Sequence, residues 1–222
     1  MPRLARVVVP DIPYHITQRG NRREDVFFTS QDRVLYLKWL YEYCLKFEVE
    51  IWAYCLMTNH IHLILKPSTE EGLQQVLKPL HMRYAQYINK QKGWKGHLWQ
   101  GRFFSSALDE LYTYSAIRYV ERNPVSAGMV ERAEDYIWSS AAAHIGKVDN
   151  VLLSDIPDSY CAVKKSEWSD WLASPEDSEH LIIIRRNIEK GLPCGVDGFI
   201  AWLEGKTNRC LQFKKQGRPG KG

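Results

Sequence analysis

Residues 51–66 read I-W-A-Y-C-L-M-T-N-H-I-H-L-I-L-K, which is two apolar runs separated by Thr58 and Asn59. Both runs are rich in β-branched and aromatic side chains, and short runs of this kind bounded by turn residues predict strands. We therefore predict strands at 51–57 and 60–66. Such a short connection indicates that they pair as a hairpin, although the turn is not of the Asn-Gly type that hairpins favour.

Two further strands are predicted on either side of this hairpin. Residues 14–19 (Y-H-I-T-Q-R) alternate in polarity and are followed by the turn residues G-N-R-R at 20–23. Residues 102–109 have a similar character and follow a polar, glycine-marked loop. The hairpin is thus flanked by one predicted strand before it and one after it.

Helices are predicted where apolar residues recur at the helical period behind a capping residue. Ser30–Asp32 can cap the first, and Ser68 or Thr69 the second. The third ends before Asn123-Pro124, because proline disfavours helical geometry in the residue that precedes it. The predicted helices span residues 30–47, 70–90 and 111–122.

The resulting order is strand, helix, strand, strand, helix, strand, and then a helix. It is typical of the ferredoxin-like βαββαβ fold, an α+β arrangement with helices on one face of an antiparallel sheet. In that topology the first and third strands are central, which places His60 and His62 in the middle of the sheet. We divide the chain into this unit at 1–145, a mostly helical C-terminal extension at 146–205 with helices at 179–189 and 196–203, and a basic disordered tail at 206–222.

Composition restricts the classes of protein that remain. The 222 residues are 45% hydrophobic and 25% charged, which is ordinary for a folded protein. No apolar run approaches the roughly 18 residues of a membrane span, and the first residues lack the apolar stretch of a signal peptide. We expect a cytoplasmic protein without a membrane partner. Five scattered cysteines with no C-x-x-C pair fit a reducing compartment and speak against a structural zinc site.

The formal net charge is only +4, but its distribution is uneven. Residues 72–108 contain six Lys or Arg and no acid, and residues 205–222 repeat that pattern, whereas acids gather between residues 149 and 179. Acid-free basic stretches are typical of proteins that bind a polyanion, most often nucleic acid. The alternative is that neither stretch binds a polyanion, the first being a solvated helix face and the second a disordered tail.

Two motifs contain residues able to support chemistry. His60 and His62 flank Ile61 in a predicted strand, where alternate side chains share a face, so both imidazoles can reach one metal ion. Tyr119 and Asn123 are four residues apart and lie on one face of a predicted helix. Each motif also has a structural alternative, since a buried histidine and a helical tyrosine are most often parts of a core.

Together these motifs resemble the HUH endonuclease superfamily. Within it the chain is similar to the single-tyrosine transposases of insertion sequences, and most closely to the REP-associated tyrosine transposases of bacteria. The resemblance rests on P-Y-H-I-T-Q-R-G-N-R-R (13–23), M-T-N-H-I-H-L-I-L (57–65), W-Q-G-R-F (99–103) and R-Y-V-E-R-N-P-V-S-A-G-M-V (118–130). It covers residues 1–145, with looser matches at G-L-P (191–193) and the closing G-R-P.

The resemblance implies a metal-dependent nuclease and strand-transferase acting on single-stranded DNA at or near a hairpin, through a covalent 5′-phosphotyrosine. It implies that Tyr119 is the nucleophile and that His60 and His62 bind a divalent ion, Mg²⁺ or Mn²⁺. Asn123 is implied as a third, amide ligand, in a position where other branches carry glutamine or a carboxylate. A bacterial, nucleoid-associated protein is implied, with a second copy of the chain as a possible partner.

Cations and aromatic rings interleaved along the chain are expected to bind the DNA, because cations hold phosphates while rings stack on splayed bases. Most of them lie after the first strand, in the basic stretch at 72–108, and in the tail. The residues expected in this role are Arg19, Arg22, Arg23, Arg83, Lys90, Lys92, Lys95, Trp99, Arg102, Lys214 and Lys215.

Two other functions remain open from the sequence. A nucleic-acid-binding module on the same sheet, without catalysis, explains the charge and the aromatic rings but leaves the histidine and tyrosine motifs unexplained. Another HUH nuclease, such as a relaxase or a replication initiator, shares the motifs. The position of the histidine pair before a single tyrosine, in a short chain without a helicase segment, favours the transposase branch.

Overall fold

The computed structural model describes residues 8–175 and 178–213. These residues form a four-stranded sheet with helices on both of its faces. Short 3₁₀ turns lie at Asn21–Arg23 and Ala133–Asp135. The strands and helices are β1 (Tyr14–Arg19), α1 (Ser30–Lys46), β2 (Val49–Leu56), β3 (His60–Pro67), α2 (Gly72–Lys92), β4 (Phe104–Ala107), α3 (Glu110–Ser126), α4 (Ala141–His144), α5 (Lys165–Ala173), α6 (Ser178–Ile188) and α7 (Asp197–Thr207).

The strand order of the sheet is β2-β3-β1-β4, and every neighbouring pair is antiparallel. β1 and β3 are therefore central, as predicted. In their register Thr17 is opposite His62 and Arg19 is opposite His60. β4 is shorter than predicted, with four residues.

Helices α1 and α2 pack together on one face of the sheet and form the first core. Ile61, Leu63 and Leu65 of β3 belong to this core, since alternate residues of a strand share a face. This confirms the predicted α+β, ferredoxin-like arrangement of the sheet with α1 and α2, whereas the third predicted helix lies on the opposite face. At the start of α1, Thr29 and Asp32 form a capping box, in which each side chain accepts a hydrogen bond from the other residue's backbone N–H.

Two predicted helix boundaries are wrong. The first turn of α2 has Glu71 as its N-cap residue and no side-chain cap, so neither Ser68 nor Thr69 caps it. Helix α3 does not stop before Pro124 but continues through it to Ser126. Proline cannot donate the backbone bond that Val120 would accept. The side-chain amide of Asn123 offsets this loss by donating to the carbonyls of Tyr119 (2.7 Å) and Val120 (3.4 Å).

Helix α3 lies on the opposite face of the sheet, over the second core. Ile64 alternates with Leu63 and Leu65, and it belongs to this second core together with Ile117 and Val120 of α3. The tyrosine motif and the histidine motif are therefore on the same side of the sheet.

The residues after 145 contribute to both cores. Trp168 of α5 and Ile184 of α6 belong to the second core, and Leu203 of α7 and Leu211 belong to the first. The helices expected at 179–189 and 196–203 are present as α6 and α7, whereas α5 was not predicted. None of the helices in the described part of the chain is long and apolar enough to cross a bilayer.

The start of the expected disordered tail needs correction. Residue 206 belongs to α7, and Leu211 beyond it is buried, so residues 206–213 are folded. Apolar side chains at Leu203 and Leu211 anchor this segment despite its positive charge. Residues 214–222, with the expected DNA contacts Lys214 and Lys215, lie outside the described residues.

Candidate tyrosine and metal site

Three imidazoles lie together at the centre of the sheet, on the face that α3 covers. His60 and His62 project from β3 and His15 from β1, in accordance with strand alternation. The ring centroids of His60 and His62 are 5.0 Å apart, and those of His15 and His62 are 5.1 Å apart. The structure thus brings the predicted histidine pair together and adds a third histidine to it.

Hydrogen bonds orient both rings of the predicted pair. His60 Nδ1 is 2.6 Å from the Oδ1 atom of Asn59, which can only accept, so His60 Nδ1 donates and its Nε2 carries no proton. The Asn59 amide nitrogen donates to the Arg23 carbonyl at 2.9 Å, which fixes the orientation of that amide. His62 Nδ1 is 2.8 Å from His15 Nε2. In both rings, therefore, Nδ1 is engaged by the protein and Nε2 is the nitrogen left for a metal.

The three imidazoles are held in their neutral form. Burial lowers the pKa of His15 to about 3. Burial and, secondly, the charge of Arg19 lower the pKa of His60 to about 4. Burial and then the neighbouring His15, His60 and Arg19 lower the pKa of His62 well below its usual value. Neutral imidazole is the form that binds metals, so the pair meets this requirement at neutral pH.

The turn after β1 brings Arg19 and Arg23 to this site. A Cβ atom on Gly20 would lie 2.1 Å from the Glu24 carbonyl oxygen, so only glycine fits there. The Gly20 N–H donates to the Asn59 carbonyl at 2.8 Å, which joins this turn to the one that precedes His60. Arg23 adopts a left-handed backbone conformation, with φ of 65°.

Tyr119 is the tyrosine of α3 that meets the imidazoles. Its ring centroid is 5.5 Å from that of His62 and 5.7 Å from that of His15. Tyr112 and Tyr114 instead pack on His180 and Trp171, with centroid distances of 4.7 and 4.6 Å. Burial raises the pKa of Tyr119, and the nearby guanidinium groups of Arg185 and Arg19 oppose that rise.

A cavity of about 360 Å³ opens beside the Tyr119 ring, and we refer to it as the tyrosine cavity. It lies between β1, β3, α3 and α6. Its wall includes His62 and Tyr119 together with the guanidinium groups of Arg19, Arg23 and Arg185, and it has one carboxylate, Glu189. The cavity therefore combines a tyrosine, an imidazole and an excess of positive charge.

Asn123, the fourth residue of the predicted site, is placed differently. Its amide nitrogen donates to the Tyr119 carbonyl of its own helix at 2.7 Å. Like His60, it is not among the residues that line the tyrosine cavity. Its role as a metal ligand stays a prediction.

The cations expected to bind DNA are distributed over two regions. Arg19 and Arg23 line the tyrosine cavity, while Arg22 and Lys95 line a second cleft of about 320 Å³ with Trp94. Lys90, Lys92 and Arg102 are exposed. Arg83 lies elsewhere, on α2, where it pairs with Glu42 of α1 at 3.3 Å.

The prediction that Trp99 binds DNA is wrong. It is only 7% exposed, and its indole N–H donates to the His81 carbonyl at 3.0 Å, so it is a core residue and not a platform for bases. Trp94, in the same loop, is 46% exposed and is the tryptophan of the two that can stack on a ligand.

Two residues of the site were not found from the sequence. His15 precedes Thr17 and Arg19 by steps of two, so strand alternation already placed it on the same face as these residues. Arg185 had no such signal, because its position depends on how α6 packs against α3 and β1.

Comparison with known proteins identifies the family and the fold of the chain. The family model described as "Transposase IS200 like" matches residues 8–123, just over half of the chain. The solved structure of a REP-associated tyrosine transposase bound to a REP hairpin is similar, with a TM-score of 0.51, 19% identity, and coverage of 71% of this chain and 99% of that chain. A putative transposase from Deinococcus radiodurans R1 matches with a TM-score of 0.39, 20% identity, and coverage of 54% and 96%. No curated protein matches the chain.

Proposed function

Because this chain belongs to the IS200-like transposase family of single-tyrosine DNA transposases, we propose that it cleaves and rejoins single-stranded DNA at or near a hairpin through a covalent 5′-phosphotyrosine on Tyr119. The observation that carries this proposal is the contact between the Tyr119 and His62 rings, 5.5 Å apart between centroids, at the wall of a cavity with three arginines.

A divalent ion fits the donor set at this site. His60 and His62 are neutral, and each has its Nδ1 engaged by a neighbour, an arrangement that orients imidazole ligands of metals. Asn123 is the proposed third ligand. Neutral ligands leave the charge of the ion undiminished, and when bound it polarises a phosphoryl oxygen. Mg²⁺ or Mn²⁺ suits this role, and Mn²⁺ suits imidazole better.

Cleavage follows from the position of Tyr119. The phenol oxygen attacks phosphorus and forms a P–O bond, the bond from phosphorus to the 3′ oxygen breaks, and the 3′ oxygen leaves as a hydroxyl after taking up a proton. The phenol proton passes to water. Arg19 and Arg23 lie where they can offset the charge of the phosphate.

Rejoining is the same reaction in reverse. A free 3′-hydroxyl attacks the phosphotyrosine, the Tyr119 oxygen leaves and regains a proton, and a phosphodiester forms. The energy of the bond is retained in the covalent intermediate, so the cycle needs no ATP.

The substrate is proposed from two observations. The similar transposase structure holds a REP hairpin, and this chain has an exposed Trp94 beside Arg22 and Lys95 in a second cleft. Rings and cations in such a mixture suit unpaired bases and their phosphates. A hairpin with a single-stranded flank can contact both the cleft and the tyrosine cavity.

The experiment that tests the proposal is formation of a covalent protein–DNA adduct. Labelled single-stranded hairpins are incubated with the protein and Mn²⁺, and the products are separated under denaturing conditions. We expect a denaturation-resistant band that disappears with EDTA and in Tyr119→Phe. Tyr112→Phe and Tyr114→Phe are the matched controls, and both should keep the band. A protein that binds the hairpins but forms no adduct would be the non-catalytic binding module.

A further inference from the structure

We infer that Arg185, on α6, is a phosphate-binding residue of the tyrosine cavity and contacts the phosphate that Tyr119 attacks. This inference rests on the proposed function of Tyr119. It assigns part of the reaction to the C-terminal extension, which lies beyond residues 8–123 that match the family model.

The guanidinium group of Arg185 lies beside the Tyr119 ring. The Cζ atom of Arg185 is 5.6 Å from the centroid of the Tyr119 ring. Arg185 also lines the tyrosine cavity with His62 and Arg19. A phosphate within bonding reach of the phenol oxygen is therefore also within reach of Arg185.

Helix α6 is fixed in place and is not a loosely attached helix. Ile184 and Ile188, on either side of Arg185, are 0% and 3% exposed. The Asn187 side-chain amide donates to the Pro193 carbonyl at 2.6 Å, which closes the turn after the helix.

The segment after this turn is joined to the sheet. The Cys194 N–H donates to the Ala107 carbonyl at 2.8 Å, and its own carbonyl accepts from the Asp109 N–H at 3.1 Å, so residue 194 continues the sheet beyond β4. The Ser106 hydroxyl donates to the Leu192 carbonyl. Because α6 is tied to the strand next to β1, Arg185 is held over the cavity by regular structure.

Helix α6 and the segment before it also hold the helix that carries the nucleophile. The Arg118 guanidinium donates to the Ser174 and Pro175 carbonyls, and His180 stacks on Tyr112 with 4.7 Å between ring centroids. Tyr119 and Arg185 are thus positioned relative to each other through several independent contacts.

The charge of the cavity wall favours an anionic ligand. Arg19, Arg23 and Arg185 face the cavity, against the single carboxylate of Glu189, so the wall keeps a positive excess that an anionic ligand can neutralise. Guanidinium has a planar set of donors that matches two phosphate oxygens at once, which a lysine does not. Among anions, the phosphodiester is the one that the neighbouring nucleophile requires.

The test separates phosphate binding from catalysis. Binding of a fluorescein-labelled oligothymidylate is measured in EDTA across a salt series for wild type, Arg185→Gln and Arg185→Lys. Lys190→Gln is the matched control. Lys190 follows the same helix, but its Nζ atom lies 4.1 Å from the centroid of the Phe213 ring. Thermal unfolding of each variant confirms folding, and Arg185 is exposed, so its loss should not unfold the protein.

We expect Arg185→Gln to weaken binding by about 3- to 10-fold at low salt and to flatten the slope of log affinity against log salt by about 0.7, the value for one lost phosphate contact on a single strand. Lys190→Gln should change neither. Arg185→Lys should keep the slope but form the Mn²⁺-dependent adduct more slowly, because it cannot bind two oxygens in one plane.

A wild-type slope in Arg185→Gln would overturn the inference, as would equal effects of Arg185→Gln and Lys190→Gln. If wild type formed no covalent adduct while the slope still fell, the proposed function would fail and phosphate binding by Arg185 would stand. Normal adduct formation in Arg185→Gln with a reduced slope would place the contact on a phosphate other than the attacked one, and would also contradict the inference.

Discussion

His15 Nε2 lies 2.8 Å from His62 Nδ1, in the interior of the sheet. This contact joins β1 to β3 on the face of the sheet that α3 covers. When the bond runs from His62 Nδ1–H to His15 Nε2, the remaining nitrogen of His62 is free of a proton. We therefore expect His15 to decide whether His62 presents a lone pair to a metal.

Replacing His15 with Phe should lower the affinity for Mn²⁺ by about 10- to 100-fold, because partners of metal-binding histidines contribute effects of that size. Isothermal titration calorimetry of the protein without DNA measures it directly. His81→Phe is a matched control, since His81 is a buried histidine of the first core whose Nε2 bonds Tyr36 at 3.0 Å. An unchanged affinity in His15→Phe would show that His62 needs no such partner.

Replacing Asn123 with Ala should lower both Mn²⁺ affinity and stability. Its amide nitrogen compensates the backbone donor that Pro124 lacks, so its removal should cost about 1 kcal/mol of unfolding free energy. Asn123→Asp keeps an oxygen but loses the amide donors, and it should keep metal affinity while losing stability. Urea unfolding and calorimetry on the same samples separate the roles. Loss of stability alone in Asn123→Ala would remove Asn123 from the proposed ligands.

Replacing Glu121 with Ala should destabilise the fold by about 3 kcal/mol, because it leaves buried donors without a partner. Glu121 is fully buried, and its carboxylate accepts from Ser140, from the Trp168 indole at 2.8 Å, and contacts His144 Nδ1 at 2.6 Å. Urea unfolding measures the loss. Glu131→Ala, at an exposed position, should change stability by less than about 0.5 kcal/mol. Equal effects would contradict the structural role of this carboxylate.

Acid should destabilise the protein through its buried imidazoles. The pKa values of His15 and His60 are lowered to about 3 and about 4, mainly by burial. Below their unfolded value of about 6.5, the unfolded chain binds more protons than the folded one, so the unfolding free energy falls as the pH falls from there towards 4. Urea titrations at a series of pH values should show this decline. In His15→Phe, the slope of the unfolding free energy against pH between pH 6 and pH 4 should correspond to the uptake of about one proton fewer on unfolding. An unchanged slope would contradict the neutral state of His15.

The parts of the site that follow from local pattern were predictable, and those that follow from packing were not. Strand alternation placed His60 and His62 on one face, and the helical repeat placed Tyr119. Trp94 and Trp99 are equivalent in the sequence, and only the packing of Trp99 under His81 distinguishes the buried ring from the exposed one. No local rule indicates that Arg185 meets Tyr119.

The end of α3 shows a different limit. Proline disfavours helical geometry in the residue before it, and it also leaves one helix carbonyl without its backbone donor. In this chain the preceding side chain, Asn123, supplies one, and α3 continues for three residues beyond it, to Ser126. The exception is encoded in the Asn-Pro pair, but it depends on a rotamer that the sequence does not specify.

Tyr119 contacts imidazoles of its own chain, and the arginines of its cavity also come from that chain. The proposed chemistry therefore needs no side chain from a second molecule. The rate of adduct formation should consequently be first order in protein, with a turnover per molecule that dilution leaves constant. A second copy, if one binds, would therefore not complete the catalytic centre, so pairing of copies would not decide whether a strand is cut.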